Sequence, residues 1–342
     1  MKTTFSQIVL LFLCTLCVSS QNQCVSIEKI WDNGKHCAFT SLIKFKGKYY
    51  CSFREGETHI FDANGKAEGK SQILVSEDGK TWQSIALLSK SDYDLRDPKL
   101  SIMPDGRLMV LMGGSVYKDK KLVSLHPQVS FSNDGIHFTE PVAVKFTYET
   151  AGRDWLWRTT WDDGIGYCAN YYKDFDGKSK ISLVETTNGL SYDLVTVLDI
   201  EGFPNEATIR ILPNKQMIMM VRRDSGNRKG YWGISSPPYK EWEWKEMELQ
   251  LGGPDFIQLD DNIFVAGTRS YFIPSAPKTI LLTGDIKGKF QEVYTLPSGG
   301  DTSYPALMIE GDELWMSYYS SHETSNAAIY LAKIPLSFFK LK

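Results

Sequence analysis

Past its first twenty residues the chain has no long apolar run. The one such stretch, Ile8 to Leu13, follows Lys2 and ends at the small residues Val18, Ser19 and Ser20. So short an apolar core cannot span a bilayer, so the segment reads as a secretory leader, with cleavage expected after Ser20. Residues 21–342 are then the mature protein, expected to be soluble in the periplasm or outside the cell and to be a monomer. One-signed charge is also scarce. Lys and Arg number 38 against 41 Asp and Glu, a net charge of −3, which argues against nonspecific nucleic-acid binding. Cysteine is sparse and irregularly placed. Cys14 and Cys17 fall in the leader, and Cys24, Cys37, Cys51 and Cys168 follow no metal-ligand spacing. Cys51 and Cys168 sit inside strand patterns and are expected as buried thiols; a Cys24–Cys37 disulfide stays open. His59 and His322 are too far apart in sequence to suggest a metal, so no metal and no cofactor is expected.

What the chain has in quantity is aromatic residues, 13% of the total, and one recurring turn. Ser76-Glu77-Asp78-Gly79-Lys80-Thr81-Trp82 returns as Ser132-Asn133-Asp134-Gly135-Ile136-His137-Phe138 and as Thr186-Thr187-Asn188-Gly189-Leu190-Ser191-Tyr192. More worn copies start at Ser235 and Thr283. A period of roughly fifty residues marks stacked or radially arranged units. Within each unit, alternating strands are joined by turns such as Pro104-Asp105-Gly106 and Pro213-Asn214-Lys215, the hairpin signal. Four short strands per unit, repeated six times from about residue 29 on, predict an all-β, six-bladed propeller of four-stranded antiparallel blades in a single domain. The Gly-His…Trp-Asp signature of one common propeller class is missing. The recurring turn falls between third and fourth strands, so its first role is structural. Its Asp bonds the turn backbone, its Gly relieves strain, and its aromatic packs into the blade.

In such a ring, the starts of the first strands and the ends of the second strands share one face. The first-strand starts hold Thr40, Arg96, Asp97, Arg158, Asn205, Glu206, Asp255, Asp301 and Tyr304. The second-strand ends hold Arg54, Glu55, Glu57, His59, Asn170, Tyr171, Arg222, Arg223, Asp224, Arg269, Tyr318, Tyr319 and His322. Charged or phenolic groups at equivalent ends of nearly every unit predict a shared central pocket. Its arginines suit a carboxylate, sulfate or phosphate. Its carboxylates suit glycosidic cleavage, where one group gives a proton and another assists attack, although Arg–carboxylate pairs also neutralise one another.

The sequence resembles the sialidase superfamily, six-bladed propellers with Asp-box turns, over nearly the whole mature chain. Ser76 to Trp82 is close to the Asp-box pattern. Asn205-Glu206-Ala207-Thr208, running through Leu212-Pro213-Asn214 to Val221-Arg222, looks like the family segment whose Glu activates a tyrosine nucleophile and whose Arg binds the substrate carboxylate. Thr302-Ser303-Tyr304-Pro305-Ala306-Leu307 looks like the segment around that tyrosine, and Arg269 matches the third arginine in placement. The resemblance therefore implies Tyr304 as nucleophile, Glu206 as its base, and Arg222 and Arg269 as anion-binding groups. Tyr50 to Glu55 is similar to the strand whose Arg here is Arg54. The leaving-group acid of the family follows on a short loop, here Gly56 to Asp62, where Asp62 is assigned and Glu57 and His59 are the other groups. The family's first arginine has no counterpart: Ala38-Phe39-Thr40-Ser41 stands in its place. Asp97, Asp255, His59 and Tyr318 complete the expected substrate contacts.

The expectation is an exo-acting glycoside hydrolase releasing a terminal, anionic sugar from a glycan. Two alternatives stand beside it. One is a hydrolase of another sugar that uses Glu206, Asp97 and Asp255 as an acid/base set. The other is a glycan-binding propeller without turnover.

Overall fold

The computed structural model describes residues 25–271 and 276–339; the leader and Cys24 lie outside the described residues. The chain is all-β, with six small antiparallel sheets arranged as a six-bladed propeller. The first blade pairs His36–Phe45, Lys48–Gly56, Lys70–Ser76 and Gln83–Leu88 in that order. The fourth blade does the same with Pro204–Ile211, Met217–Arg223, Lys229–Ser235 and Glu243–Gln250. Inner strands are covered on both sides, so they read as near-continuous apolar runs; Met217 to Val221 are all buried. Outer strands alternate instead, as in Glu243–Gln250, because one side meets water.

Two blades depart from the simple pattern. The second carries an extra strand, Lys121–Leu125, on Leu108–Lys118. In the third, the innermost strand is split into Asp154–Leu156 and Thr160–Asp162. The ring closes through the N-terminus. Ser26–Trp31 forms the outer strand of the sixth blade, antiparallel to Ala328–Pro335. Sequence patterning alone did not place this strand there.

The apolar clusters lie between blades. Phe45, Tyr50 and Ile73 of the first blade meet Leu108, Val110 and Met112 of the second. Similar clusters join each following pair, and the last joins the sixth blade back to the first through Ala306, Trp315, Tyr319, Cys37, Phe39 and Phe53. Each fully buried aliphatic or aromatic side chain contributes about 1.5–3 kcal/mol, so the ring is held by side-chain packing rather than by hydrogen bonds between sheets. Cys37, Cys51 and Cys168 are free, buried thiols within these clusters.

The repeated turn is built alike in three blades. Ser76, Ser132 and Thr186 each accept the motif glycine's N–H at 2.8–2.9 Å. Asp78, Asp134 and Asn188 each accept two further backbone N–H groups at 2.8–2.9 Å. The glycine is needed twice over. Gly79 has φ +68°, and a Cβ there would lie 2.1 Å from the Trp315 ring of the neighbouring blade. Tyr192, the motif aromatic of the third blade, is fully buried.

Candidate active site

Four of the innermost strands carry the same irregularity near their start. The pairing register slips between Ala38 and Ser41, Arg96 and Lys99, Asn205 and Thr208, and Ser303 and Ala306. At each slip one residue adopts positive φ: Phe39 at 71°, Asp97 at 49°, Glu206 at 33° and Tyr304 at 48°. A bulge of this kind bends the strand and re-aims a side chain. Each such conformation costs a non-glycine residue on the order of 1–3 kcal/mol. Backbone carbonyls near the starts of the inner strands are satisfied by side chains of other blades. Thr40 donates to Tyr304 O, Ser52 to Pro98 O and Thr208 to Pro254 O, each at 2.8 Å from an adjoining blade, and Arg158 of the third blade donates to Pro305 O of the sixth at 2.7 Å.

The four re-aimed residues form one site. The Tyr304 hydroxyl donates to Glu206 Oε1. Glu206 Oε2 accepts from Arg222 Nη1 at 2.5 Å and from Gly253 N at 3.0 Å. Arg222 Nη1 also lies 3.3 Å from the Tyr304 oxygen, and Asp224 holds its Nε at 3.0 Å. The Tyr304 ring packs against Phe39 at 4.8 Å, Trp157 at 5.7 Å and Tyr319 at 6.0 Å. Gly253 lies against the face of this ring; a Cβ there would sit 2.6 Å from Tyr304 Cγ.

Electrostatics keep the pair poised. Burial alone would raise Glu206, but the charge of Arg222 and the Tyr304 hydrogen bond reverse this and hold the carboxyl below its usual range. Burial, then the Glu206 charge, pushes Tyr304 well above an ordinary phenol. The resting site is therefore a neutral phenol hydrogen-bonded to a carboxylate. Asp97 is 6% exposed and its Oδ1 has no hydrogen-bond partner. Burial raises this carboxyl to about 6. Beneath it, the buried Lys99 ammonium lies 4.6 Å from the Trp157 ring centre and 5.7 Å from that of Tyr304, and donates to Thr40 O at 3.1 Å. Burial, then Arg158, lowers Lys99 to about 7.

On the first-blade side, His59 Nδ1 lies 2.5 Å from Asp301 Oδ2, and His36 Nε2 lies 3.0 Å from the same oxygen. Tyr319 donates to Asp301 Oδ1 at 2.9 Å. The His59 ring stands edge-on to Phe39 at 5.2 Å. His36, His59 and Asp301 offer ligand atoms within 4.8 Å of one another, the one such group of three among the described residues.

The structure thus brings Tyr304, Glu206, Arg222, Asp97 and His59 to one face. Arg269 is near enough for its charge to lower Glu206, and its guanidinium bonds the Tyr271 hydroxyl at 3.0 and 2.5 Å. The other expected residues lie elsewhere or are otherwise occupied. Arg54 is 1% exposed, with its Nε on Asp94 at 2.7 Å and its Nη1 on Thr58 O at 2.8 Å, so it fastens the loop rather than facing a ligand. Asp62 Oδ1 accepts the N–H groups of Asn64 and Lys66 at 2.8 Å, which ties it to its own turn. Asp255 is buried between Arg210 at 2.6 Å and Arg158 at 3.6 Å. It lines a separate cavity of about 430 Å³, together with Leu42, Leu100 and Met308, which lie further along the inner strands. Tyr318 points into its blade, stacked on Tyr330 at 5.3 Å and bonded to Pro297 O. Its neighbour Tyr319 faces the site, as the two-residue period of a strand requires. Phe39, Lys99, Gly253 and His36 were not foreseen. A signal for two of the bulges was available: Asp97-Pro98 and Tyr304-Pro305 put proline inside an inner strand, where it is tolerated at bulges.

No protein-family model and no curated protein matches this sequence. Solved structures do. A protein of unknown function from Dyadobacter fermentans superposes with a TM-score of 0.76 at 17% identity, over 90% of this chain and 99% of its own. Trypanosoma rangeli sialidase in complex with sialic acid gives 0.69 at 12% identity, over 91% of this chain and 59% of its own. The Hadza microbial sialidase Hz136 gives 0.70 at 14%, over 89% and 66%. The chain therefore spans less than two thirds of either sialidase. These likenesses define the class: the fold is the sialidase-like six-bladed propeller.

Proposed function

We propose that the protein is an exo-acting glycoside hydrolase that releases a terminal anionic sugar from a glycan, with Tyr304 as nucleophile and Glu206 as its base. The observation that carries this reading is the Tyr304–Glu206 hydrogen bond, with Arg222 on the same carboxylate. A neutral phenol is a weak nucleophile, and an adjacent base activates it. As the phenolic oxygen bonds to the anomeric carbon, its proton passes to Glu206. The nucleophile so carries no charge when it approaches an anionic sugar. Arg222 and Arg269 supply the positive field for that anionic group. The unpartnered Asp97 oxygen accepts from a sugar hydroxyl. Phe39 lies in the segment Ala38 to Ser41 that stands in place of the family's first arginine, and gives this side of the pocket an apolar wall, which favours an acidic or sulfated sugar bound by two arginines rather than three.

The test is incubation with glycans ending in sialic, uronic and sulfated sugars, read by mass spectrometry for free monosaccharide. Release of one of them is expected. The matching 2-fluoro sugar with a good leaving group should add one glycosyl mass to the protein, and Tyr304→Phe should abolish that adduct. Retention of glycans on the immobilised protein without any release would favour a binding module.

A further inference from the structure

Glycosidic cleavage needs a proton at the departing oxygen, and the Asp62 carboxylate is spent on its own turn. We propose that His59, oriented by Asp301, is the acid that protonates the leaving-group oxygen; this rests on the hydrolase reading above. The contacts around His59 set the tautomer of its neutral form. His59 Nε2 faces the Arg96 guanidinium at 3.4 Å, which leaves the ring proton on Nδ1, 2.5 Å from Asp301. The Tyr319 hydroxyl also donates to Asp301. His36 Nε2 lies 3.0 Å from the same carboxylate without a hydrogen bond, and its Nδ1 lies 3.5 Å from the Ala327 N–H.

The same pattern counts against a metal at these three residues. A metal-bound histidine usually donates its second ring N–H to a carboxylate, carbonyl or water. Here the second nitrogens of both rings face N–H donors. What remains is an Asp–His pair, the arrangement that orients an imidazole and stabilises its protonated form. His59 is the accessible member: its side chain is 44% exposed, whereas that of His36 is 6% exposed. The His59 ring packs on Phe39, and Phe39 packs on Tyr304, so the imidazole flanks the nucleophile across one ring. The charged and titratable groups facing it are Asp301 and His36 on one side, and Arg96 and Asp97 on the other. Arg96 is paired with Asp94 at 3.1 Å, a carboxylate it shares with Arg54.

The step balances. His59 enters as imidazolium with its Nε2–H turned from Arg96 to the glycosidic oxygen, and gives that proton as the bond from the oxygen to the anomeric carbon breaks. Tyr304 Oη bonds to the anomeric carbon and its proton goes to Glu206. In the second half, neutral His59 takes a proton from the attacking water, and Glu206 returns its proton to the departing Tyr304.

The experiment compares 4-nitrophenyl with methyl glycosides of N-acetylneuraminic acid, glucuronic acid and 6-sulfo-N-acetylglucosamine. A nitrophenolate departs without help; a methoxide does not. His59→Ala should lower kcat/KM on the methyl glycoside by about 10²–10⁴-fold, and on the nitrophenyl glycoside by under about tenfold. Asp301→Asn should reproduce the leaving-group dependence of His59→Ala to a smaller degree, because the imidazole loses the carboxylate that orients it. Equal losses of His59→Ala on both leaving groups, in protein that melts like wild type, would overturn the acid role and leave the hydrolase standing. So would the leaving-group signature appearing in Asp62→Asn instead, or activity lost to EDTA and restored by zinc. No release from any of the six glycosides by wild type would overturn the hydrolase reading and the acid with it.

Discussion

At the scale of single residues, the site separates groups by what burial does to their charge. Tyr304 stays a neutral phenol because Glu206 beside it stays ionised, and Glu206 stays ionised because Arg222 shares its second oxygen. Tyr304→Phe should therefore lower kcat by at least about 10²-fold while leaving the melting temperature nearly unchanged, measured by sugar release and differential scanning fluorimetry. Asp97 gives a prediction about stability. Its carboxyl titrates at about 6 against an ordinary 3.8. Between these pH values the folded state holds a proton that the unfolded chain has lost, so stability falls as pH rises through the window. Asp97→Asn removes the ionisation and keeps a residue that tolerates positive φ. Its melting temperature relative to wild type should rise from pH 4 to pH 6 and then level off. A difference constant across that range would show that Asp97 ionises as easily in the folded protein as in the unfolded one. Lys99 is opposite in sign, but its window lies above about pH 7 and does not overlap.

At the scale of elements, the turns and the inner-strand bulges divide the labour. The Asp-box turns hold blades; none of their residues reaches Tyr304. Asp78→Ala removes the acceptor of two backbone N–H groups and should lower the urea midpoint with kcat unchanged. The bulges aim the chemistry. Gly253→Ala tests the one at Tyr304 from the neighbouring blade, because the added methyl collides with the Tyr304 ring at a position that already has φ +61°. It should cut turnover at least about tenfold with a native circular dichroism spectrum, since small misplacement of a reacting group is expensive. The turns were legible in the sequence because Ser, Asp and Gly recur at fixed offsets within one short segment. The bulges were only half legible. Proline after Asp97 and Tyr304 was visible, but the matching slips at Phe39 and Glu206 carry no such mark.

At the scale of the whole molecule, closure is decided by two segments far apart in sequence. Ser26–Trp31 completes the blade that ends with Ala328–Pro335. Without it, the Ala328–Pro335 edge would be open and Trp31 would leave the cluster that seals the sixth blade to the first. Deleting residues 25–31 should lower the melting temperature by about 10 °C and promote association, read by scanning calorimetry and light scattering. A truncated protein that melts like wild type would mean that the ring holds without this strand.

The sequence by itself determined the blade count and the turn chemistry, because these are carried by local periodicity and by residue types at short spacing; its resemblance to the sialidase superfamily pointed to Tyr304, Glu206 and Arg222. Only the tertiary structure decided which charged strand ends face a ligand. Arg54, Asp255 and Tyr318 sat at equivalent positions in the repeat, yet each is turned into the protein by a partner from a distant segment: Asp94, Arg210 and Tyr330. The His36–His59–Asp301 cluster is the converse case. Its members come from an inner strand, a loop and the sixth blade, and they meet because ring closure sets the first blade beside the last. A pattern along the chain records which side of a strand a residue occupies; the partner waiting there belongs to the closed ring.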